Sequence, residues 1–432
     1  MRRLLMISPH FPPDSSAGTH RVRLLAPHLE AYGWQPTVLT VAEQDYEGRV
    51  DPALAALVPA SLAVVRSRAF SPSLTRPIGF GDLGLRALPG LRRTAWRLFE
   101  QRPFDLVFIT IYPTYPAVLG PMIKRRFSVP FVLDYQDPWV SAWGKQVGGG
   151  SGGAVDVKSR STRALAERLE PRVLRAADAV TAVSARTYEE ALDRTGAAPR
   201  AVAEIPIGWD SGDLDALARR CGTHPLIPDD GRVNICYTGT LLPLGVATLR
   251  AVFAAARAVI DREPQLADRL RFYFFGTSNQ STGGEERVMP HARELGIEPL
   301  VREQPARLDY LDALDALRQA SALLLLGSSE AHYTPSKVFP ALLANRPILA
   351  VYHEASTAID MLTAAAPSPM ARVIAFNDER SVDAAVGCIA EALRAIMSSA
   401  GEAVQVNRDA LEPWSARALA GRLAAICDRV AA

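Results

Sequence analysis

The sequence predicts an α/β protein of two doubly wound domains, each a parallel sheet with helices on both faces. Three observations carry that prediction. Short β-rich runs alternate with longer helical patterns from end to end. The alternation breaks at a polar stretch near residue 209 and then restarts. A chain of 432 residues is also too long for one ordinary core, so two domains are the natural division.

The first strand is LLMIS, Leu4 to Ser8, preceded by two arginines and followed by Pro9. Its apolar run is too short for the core of a signal peptide, and it reads as a buried strand. The helical THRVRLLAPHLEAYG leads to PTVLTV, and DLVFIT, PFVLDY and DAVTAVS supply further strands. After IPIGWD, the segment Ser211 to Gly231 is polar and contains Pro225 and Pro228, which suits a linker. VNICYTGT then opens a second series, continued by RFYFFGT, EPLVRE, ALLLLGS, PILAV and ARVIAF. Sheets of this kind bind ligands beyond the carboxyl ends of their strands, which places the expected site in a central cleft faced by both domains.

Composition narrows the function. Hydrophobic content of 48%, charged content of 22% and a net charge of +2 describe a globular protein with no pull toward nucleic acid. Cys221, Cys236, Cys388 and Cys427 are widely spaced without metal-ligand spacing, so they read as reduced thiols, with neither zinc nor a disulfide framework expected. No segment reads as the run of about 20 apolar residues that crosses a bilayer, so any membrane contact is expected to be peripheral.

Three stretches carry candidate chemistry. In SPHFPPDSSAGTHRVRLL the chain leaves a strand at Ser8 and enters a helix near His20. The small residues Ser15 to Thr19, Gly18 among them, would let backbone N–H groups approach an anion, though a plain capped helix reads equally well. In FVLDYQDPWVSAW, Asp134 and Asp137 stand at a strand end where carboxylates can meet sugar hydroxyls, and Trp139 offers a flat face to a sugar ring. Turn capping by the aspartates and core packing by the tryptophan are the plain alternatives. In LLLLGSSEAHYTPSKVFP, Thr334 or Ser336 would cap a helix whose first turn holds Lys337, giving backbone donors and an ammonium for nucleotide phosphates.

Two further segments stand apart. Gly144 to Asp156 is so rich in glycine that it reads as a mobile loop, either a surface excursion or a substrate gate. LRALPGLRRTAWRLFEQ mixes Arg86, Arg92, Arg93 and Arg97 with Trp96 and leucines. It reads as a helix covering the first sheet or, alternatively, as a basic amphipathic helix on a membrane surface.

Together these stretches, in order and over nearly the whole chain, resemble family 4 glycosyltransferases of the GT-B fold. The carriers are the segment from LLMISPHFPPDSSAG to PTVLT, FVLDYQDPW, ADAVTAVSARTYEEAL, IPIGWD, ICYTGTL, FYFFGT and YTPSKVFPALLANRPILAV. The resemblance implies two Rossmann-like domains: residues 1–208 for the acceptor, 209–405 for a nucleotide-sugar donor, and 406–432 as a helix crossing back to the first. It implies transfer with retention, no metal and no cofactor, from a nucleoside-diphosphate sugar to a saccharide, lipid-linked or small-molecule acceptor. By position, Gly18, Thr19 and Arg21 approach the donor diphosphate, Gly239, Thr240 and Gly276 line its other side, and Lys337 and Ser336 meet phosphate or ribose. Asp137, His20 and Lys337 are then the catalytic candidates, with Asp134 and Trp139 as substrate contacts. Where relatives carry a pair of glutamates, this chain has His332 and Pro340, which leaves Glu330 as the nearby substitute. Pro340 implies that its helix starts late or bends.

The expectation is therefore a cytoplasmic sugar transferase of envelope, polysaccharide or glycoconjugate synthesis, peripheral on the inner membrane face if the basic helix docks there. A sugar-nucleotide epimerase or hydrolase, or a silent sugar-nucleotide-binding subunit, are the rival readings.

Overall fold

The computed structural model describes residues 1–78, 81–140, 157–220, 225–278, 283–328, 337–399 and 405–431. The chain divides into two compact units, Met1–Asp210 with Trp414–Ala432, and Ser211–Pro413.

The first unit is a seven-stranded parallel sheet in the order β3-β2-β1-β4-β5-β6-β7. Its strands are β1 (Arg2–Ile7), β2 (Trp34–Val41), β3 (Ala63–Ser67), β4 (Leu106–Ile111), β5 (Phe131–Tyr135), β6 (Ala179–Ala182) and β7 (Ala201–Glu204). Its principal helices are α1 (Thr19–Leu25), α2 (Leu83–Gln101), α3 (Leu119–Phe127), α4 (Val157–Ala176) and α5 (Ala185–Thr195). Successive strand residues point to opposite faces. Leu5 and Ile7 accordingly join the core shared with Ala87, Leu91 and Ala95 of α2, while Leu4 and Met6 join the one shared with Val22 and Leu25 of α1.

The second unit is a six-stranded parallel sheet, β10-β9-β8-β11-β12-β13. Here β8 is Val233–Thr238, β9 Leu270–Phe275, β10 Val301–Gln304, β11 Ala322–Leu326, β12 Ile348–His353 and β13 Ala371–Phe376. The helices are α6 (Ser211–Arg219), α7 (Val246–Arg262), α8 (Tyr310–Gln319), α9 (Val338–Leu343), α10 (Thr357–Ala365) and α11 (Val386–Ser398). The final helix, α12 (Ala416–Ala431), belongs to the first unit, where Leu419, Leu423, Ile426 and Val430 complete the α1-side core.

Three expectations need correction. Ser211 to Gly231 is not simply a linker: Ser211–Arg219 is helical, and its buried Asp213 accepts from the Tyr310 hydroxyl at 2.7 Å. The segment looked unstructured because most of its residues face outward. One helical segment, Pro243–Arg262, is long and apolar enough to span a membrane, contrary to the sequence reading. Its Leu249, Val252 and Phe253 pack into the second unit's core, which accounts for the apolar composition. Arg86, read as part of a surface basic face, is buried and pairs with Glu47 at 2.6 Å.

In both sheets the strand order reverses beside the first strand, between β1 and β4 and between β8 and β11. Crevices at such points, beyond the carboxyl ends of the strands, are where doubly wound sheets hold ligands.

Candidate active site

At the first switch point the chain leaves β1 and turns through Ser8 to Gly18 into α1. Asp14 is the centre of that loop and is buried. Its Oδ2 accepts from His10 Nδ1 at 2.7 Å, from Thr19 Oγ1 at 3.1 Å and from the Ser16 hydroxyl. Burial opposes ionisation of this carboxyl, but the three hydrogen bonds outweigh it and hold the pKa below the usual carboxylate value. His10 also stacks on Tyr46, whose hydroxyl burial pushes up to about 12. Sequence reasoning missed His10 and Asp14, although their i,i+4 spacing in PHFPPD was a usable signal.

Several predicted contacts are taken up by the protein itself. Arg21 and Asp134 are 1% and 0% exposed. The guanidinium grips the carboxylate with Nε at 2.9 Å and Nη2 at 2.5 Å, and Arg21 also donates to the carbonyls of Ile205 and Pro206. Thr181 donates to the same carboxylate at 2.6 Å. This pair therefore pins α1 to β5 and β6 and is not open to substrate, correcting the expectation for both residues. Thr19, also buried, is given to Asp14. Gly18, expected to admit a diphosphate, is glycine for another reason: a Cβ there would lie 2.5 Å from Cδ1 of Tyr112. Trp139 is 7% exposed and part of the α2-side core, so it gives no open face to a sugar. His20 is tied by Nδ1 to Arg23 at 3.2 Å. Asp137 is exposed, yet desolvation by the surrounding protein raises its pKa.

The second switch point brings together residues far apart in sequence. Gly239 directly follows β8 with a φ of +114°, a conformation that favours glycine. A Cβ on it would lie 2.5 Å from Cε and 2.7 Å from Nζ of Lys337, which lies directly across the glycine. The ammonium donates to the Tyr237 hydroxyl at 2.7 Å and the Thr240 carbonyl at 3.3 Å, with Nζ 4.5 Å from the tyrosine ring centroid. Gly276, directly after β9 at φ +71°, backs onto Gly239 and the backbone of Arg307. Arg307 was not singled out in the sequence; it marks a second basic residue on this edge.

Lys337 is the N-cap of α9 and not part of its first turn as expected. The helix starts at Val338, which puts Pro340 third, where its missing N–H has no acceptor inside the helix and costs nothing. Glu330, Thr334, Ser336 and the Gly144 to Asp156 loop lie outside the described residues.

Two parallel doubly wound sheets, each reversing strand order beside its first strand, make the GT-B fold. Full-length similarity to solved structures agrees. The chain is similar to a UDP-forming trehalose-phosphate synthase from Burkholderia xenovorans (TM-score 0.62, 11% identity, 100% of each chain covered). It is also similar to HepE of Anabaena, solved with UDP-glucose (0.55, 13%, 100% of this chain and 98% of that one). A putative UDP-N-acetylglucosamine 2-epimerase from Listeria monocytogenes shares the fold as well (0.51, 12%, 98% and 94%). No curated protein sequence matches the chain. Residues 17–208 match the glycosyl transferase 4-like domain.

Proposed function

We propose that this protein transfers a sugar from a nucleoside-diphosphate sugar to an acceptor hydroxyl, with the second unit holding the donor and the first the acceptor. The observation that carries this reading is Lys337 lying across Gly239 at the second switch point. Breaking the bond to the anomeric carbon leaves negative charge on the diphosphate. An ammonium beside open glycine backbone is placed to meet that charge without a metal. An arriving phosphate oxygen would compete with the Thr240 carbonyl, whose contact with Lys337 is longer than that of the Tyr237 hydroxyl. UDP-glucose in HepE, a protein of the same fold, supports a nucleotide sugar as the donor.

On the acceptor side, Asp137 orients the hydroxyl; desolvation raises its pKa, whereas the pKa of Asp14 is lowered. Retention, independence of divalent metal, a cytoplasmic location with peripheral membrane contact, and a role in envelope or exported glycan synthesis complete the proposal; they follow the family resemblance.

Calorimetric titration with UDP, GDP, dTDP and ADP tests it. Saturable binding of one nucleotide, weakened in Lys337→Ala and insensitive to EDTA, is the expected result. No binding by the folded protein would end the donor-site reading. Incubation of the sugar nucleotide without acceptor separates transfer from epimerisation, which would alter the sugar under those conditions.

A further inference from the structure

A groove of about 760 Å³ runs between the second halves of α2 and α3, lined by Arg92, Arg93, Trp96, Arg97, Arg125 and Arg126. All five arginines are exposed and Trp96 is half-buried. Among the described residues, ion pairing in the groove is limited to Arg126 with Glu100 at 4.0 Å, and both of those side chains are more than half exposed. Exposed arginines elsewhere in the chain commonly come paired, as in Arg68 with Asp45, Arg76 with Glu47 and Arg250 with Glu294. Five arginines against one glutamate is a strong local excess in a chain whose net charge is only +2.

Ordinary helix electrostatics accounts for part of the cluster. Arg125 and Arg126 sit in the last turn of α3, where the helix dipole favours cations. Arg92 and Arg93 lie about two turns before the end of α2, beyond the reach of that effect. Like charges facing one another across a groove repel, and a bound anion relieves that repulsion. Guanidinium groups grip phosphate oxygens with paired hydrogen bonds. Trp96 is anchored edge-on to Phe127 at 5.6 Å, and Phe127 stacks on Phe99 at 4.4 Å. An anchored indole among arginines, with Met122 also in the lining, matches the mixed apolar and cationic character that suits a membrane interface.

We propose that this groove docks the phosphate headgroups of an anionic lipid surface. It deepens the peripheral membrane contact of the functional reading by assigning its site. It is also separate from the reaction edge. Asp82 caps the start of α2, within electrostatic reach of His10. Arg97 lies about 22 Å further along the helix axis, at 1.5 Å per residue. The end of α2 leads into the start of β4, at the opposite edge of the sheet from the candidate site. Docking therefore leaves the β1 loop uncovered.

Co-sedimentation of the full chain with phosphatidylglycerol-containing vesicles, compared with pure phosphatidylcholine vesicles, tests the proposal. Binding to the anionic vesicles alone is expected, weakening as salt is raised. Each arginine removed should lower partitioning about fivefold, so Arg92→Gln, Arg93→Gln and Arg97→Gln together should lower it roughly a hundredfold. The thermal midpoint and nucleotide affinity should stay unchanged. Should the triple variant fail to fold, Arg93→Gln alone, set against the charge-keeping Arg93→Lys, gives the same readout.

Equal partitioning of variant and parent would overturn the proposal, as would displacement from vesicles by millimolar inorganic phosphate. Binding of duplex RNA without binding of vesicles would reassign the groove and overturn it too. Nucleotide titration of the same preparations keeps the two readings apart, since loss of nucleotide binding strikes the donor site and leaves the lipid site standing.

Discussion

After β1, the charged groups are buried and bonded to protein atoms: Asp14 to His10, Ser16 and Thr19, and Asp134 to Arg21 and Thr181. After β8, Lys337 is only half-buried and lies over glycine backbone, bonded to a phenol and a carbonyl. Buried charges with matched partners hold a fold in one arrangement, and removing one partner leaves the other stranded in a low dielectric. The half-exposed Lys337 ammonium instead lies beside glycine backbone that a ligand can approach. The first edge thus commits its charged groups to holding the scaffold, whereas the second keeps a charged group at the surface of the proposed donor site, although both sit at equivalent places on their sheets.

The sharpest way to break this contrast is Asp134→Ala. It strands the Arg21 guanidinium and should cost about 3–5 kcal/mol in urea unfolding. A cost below about 1 kcal/mol would mean the pair is not the pin described. Lys337→Ala should do the opposite. Its unfolding should change by less than about 1 kcal/mol, while loss of a charged contact to phosphate should weaken nucleotide binding roughly 10- to 100-fold. Stability loss with unchanged affinity would make Lys337 part of the scaffold instead.

Gly239→Ala sharpens the second edge. The new Cβ meets the lysine stem in a backbone conformation unsuited to alanine, so about 1–3 kcal/mol of destabilisation is expected. Because it displaces the same ammonium, its effect on nucleotide affinity should not add to that of Lys337→Ala in a double-mutant cycle.

The smallest effects are in pH. Asp14 has a depressed pKa in the folded state, so its contribution is present above the unfolded carboxylate value and is lost as pH falls through the lower folded one. Unfolding measured from neutral to acid pH should show that loss, and Asp14→Asn should flatten it. Asp137 has the opposite shift. Activity that needs its ionised form should decline on the acid side above the ordinary carboxylate range, and Asp137→Asn should remove that limb of the kcat/KM profile.

The central strands were legible because strands buried on both faces read as unbroken apolar runs, as in LLMI, LVFI and ALLLL. The edge strands β3 and β7 escaped because half-exposed residues interrupt that run. At the site, glycines and a lysine after strands were visible as residue types. Their meeting was not: Lys337 and Tyr237 are 100 positions apart. Nor could one sequence show that Asp134 finds its partner 113 residues away in Arg21, which turns two apparent ligand groups into a structural pair. The His10–Asp14 contact was local, yet three prolines in the loop hid it from periodicity arguments.

The first unit is closed by a segment that follows the whole of the second. Trp209 and Ser415 pair in parallel, Ala416 N donates to the Trp209 carbonyl at 2.7 Å, and α12 fills the core beside α1. During synthesis the unit that begins first is therefore completed last. Residues 211–413 have their full complement of strands while the earlier sheet still waits with Val22, Leu25 and Trp34 lacking the cover of α12. For that interval the nascent chain carries a finished domain and an open one, and its exposure to aggregation is set by how quickly Trp414–Ala432 emerges from the ribosome.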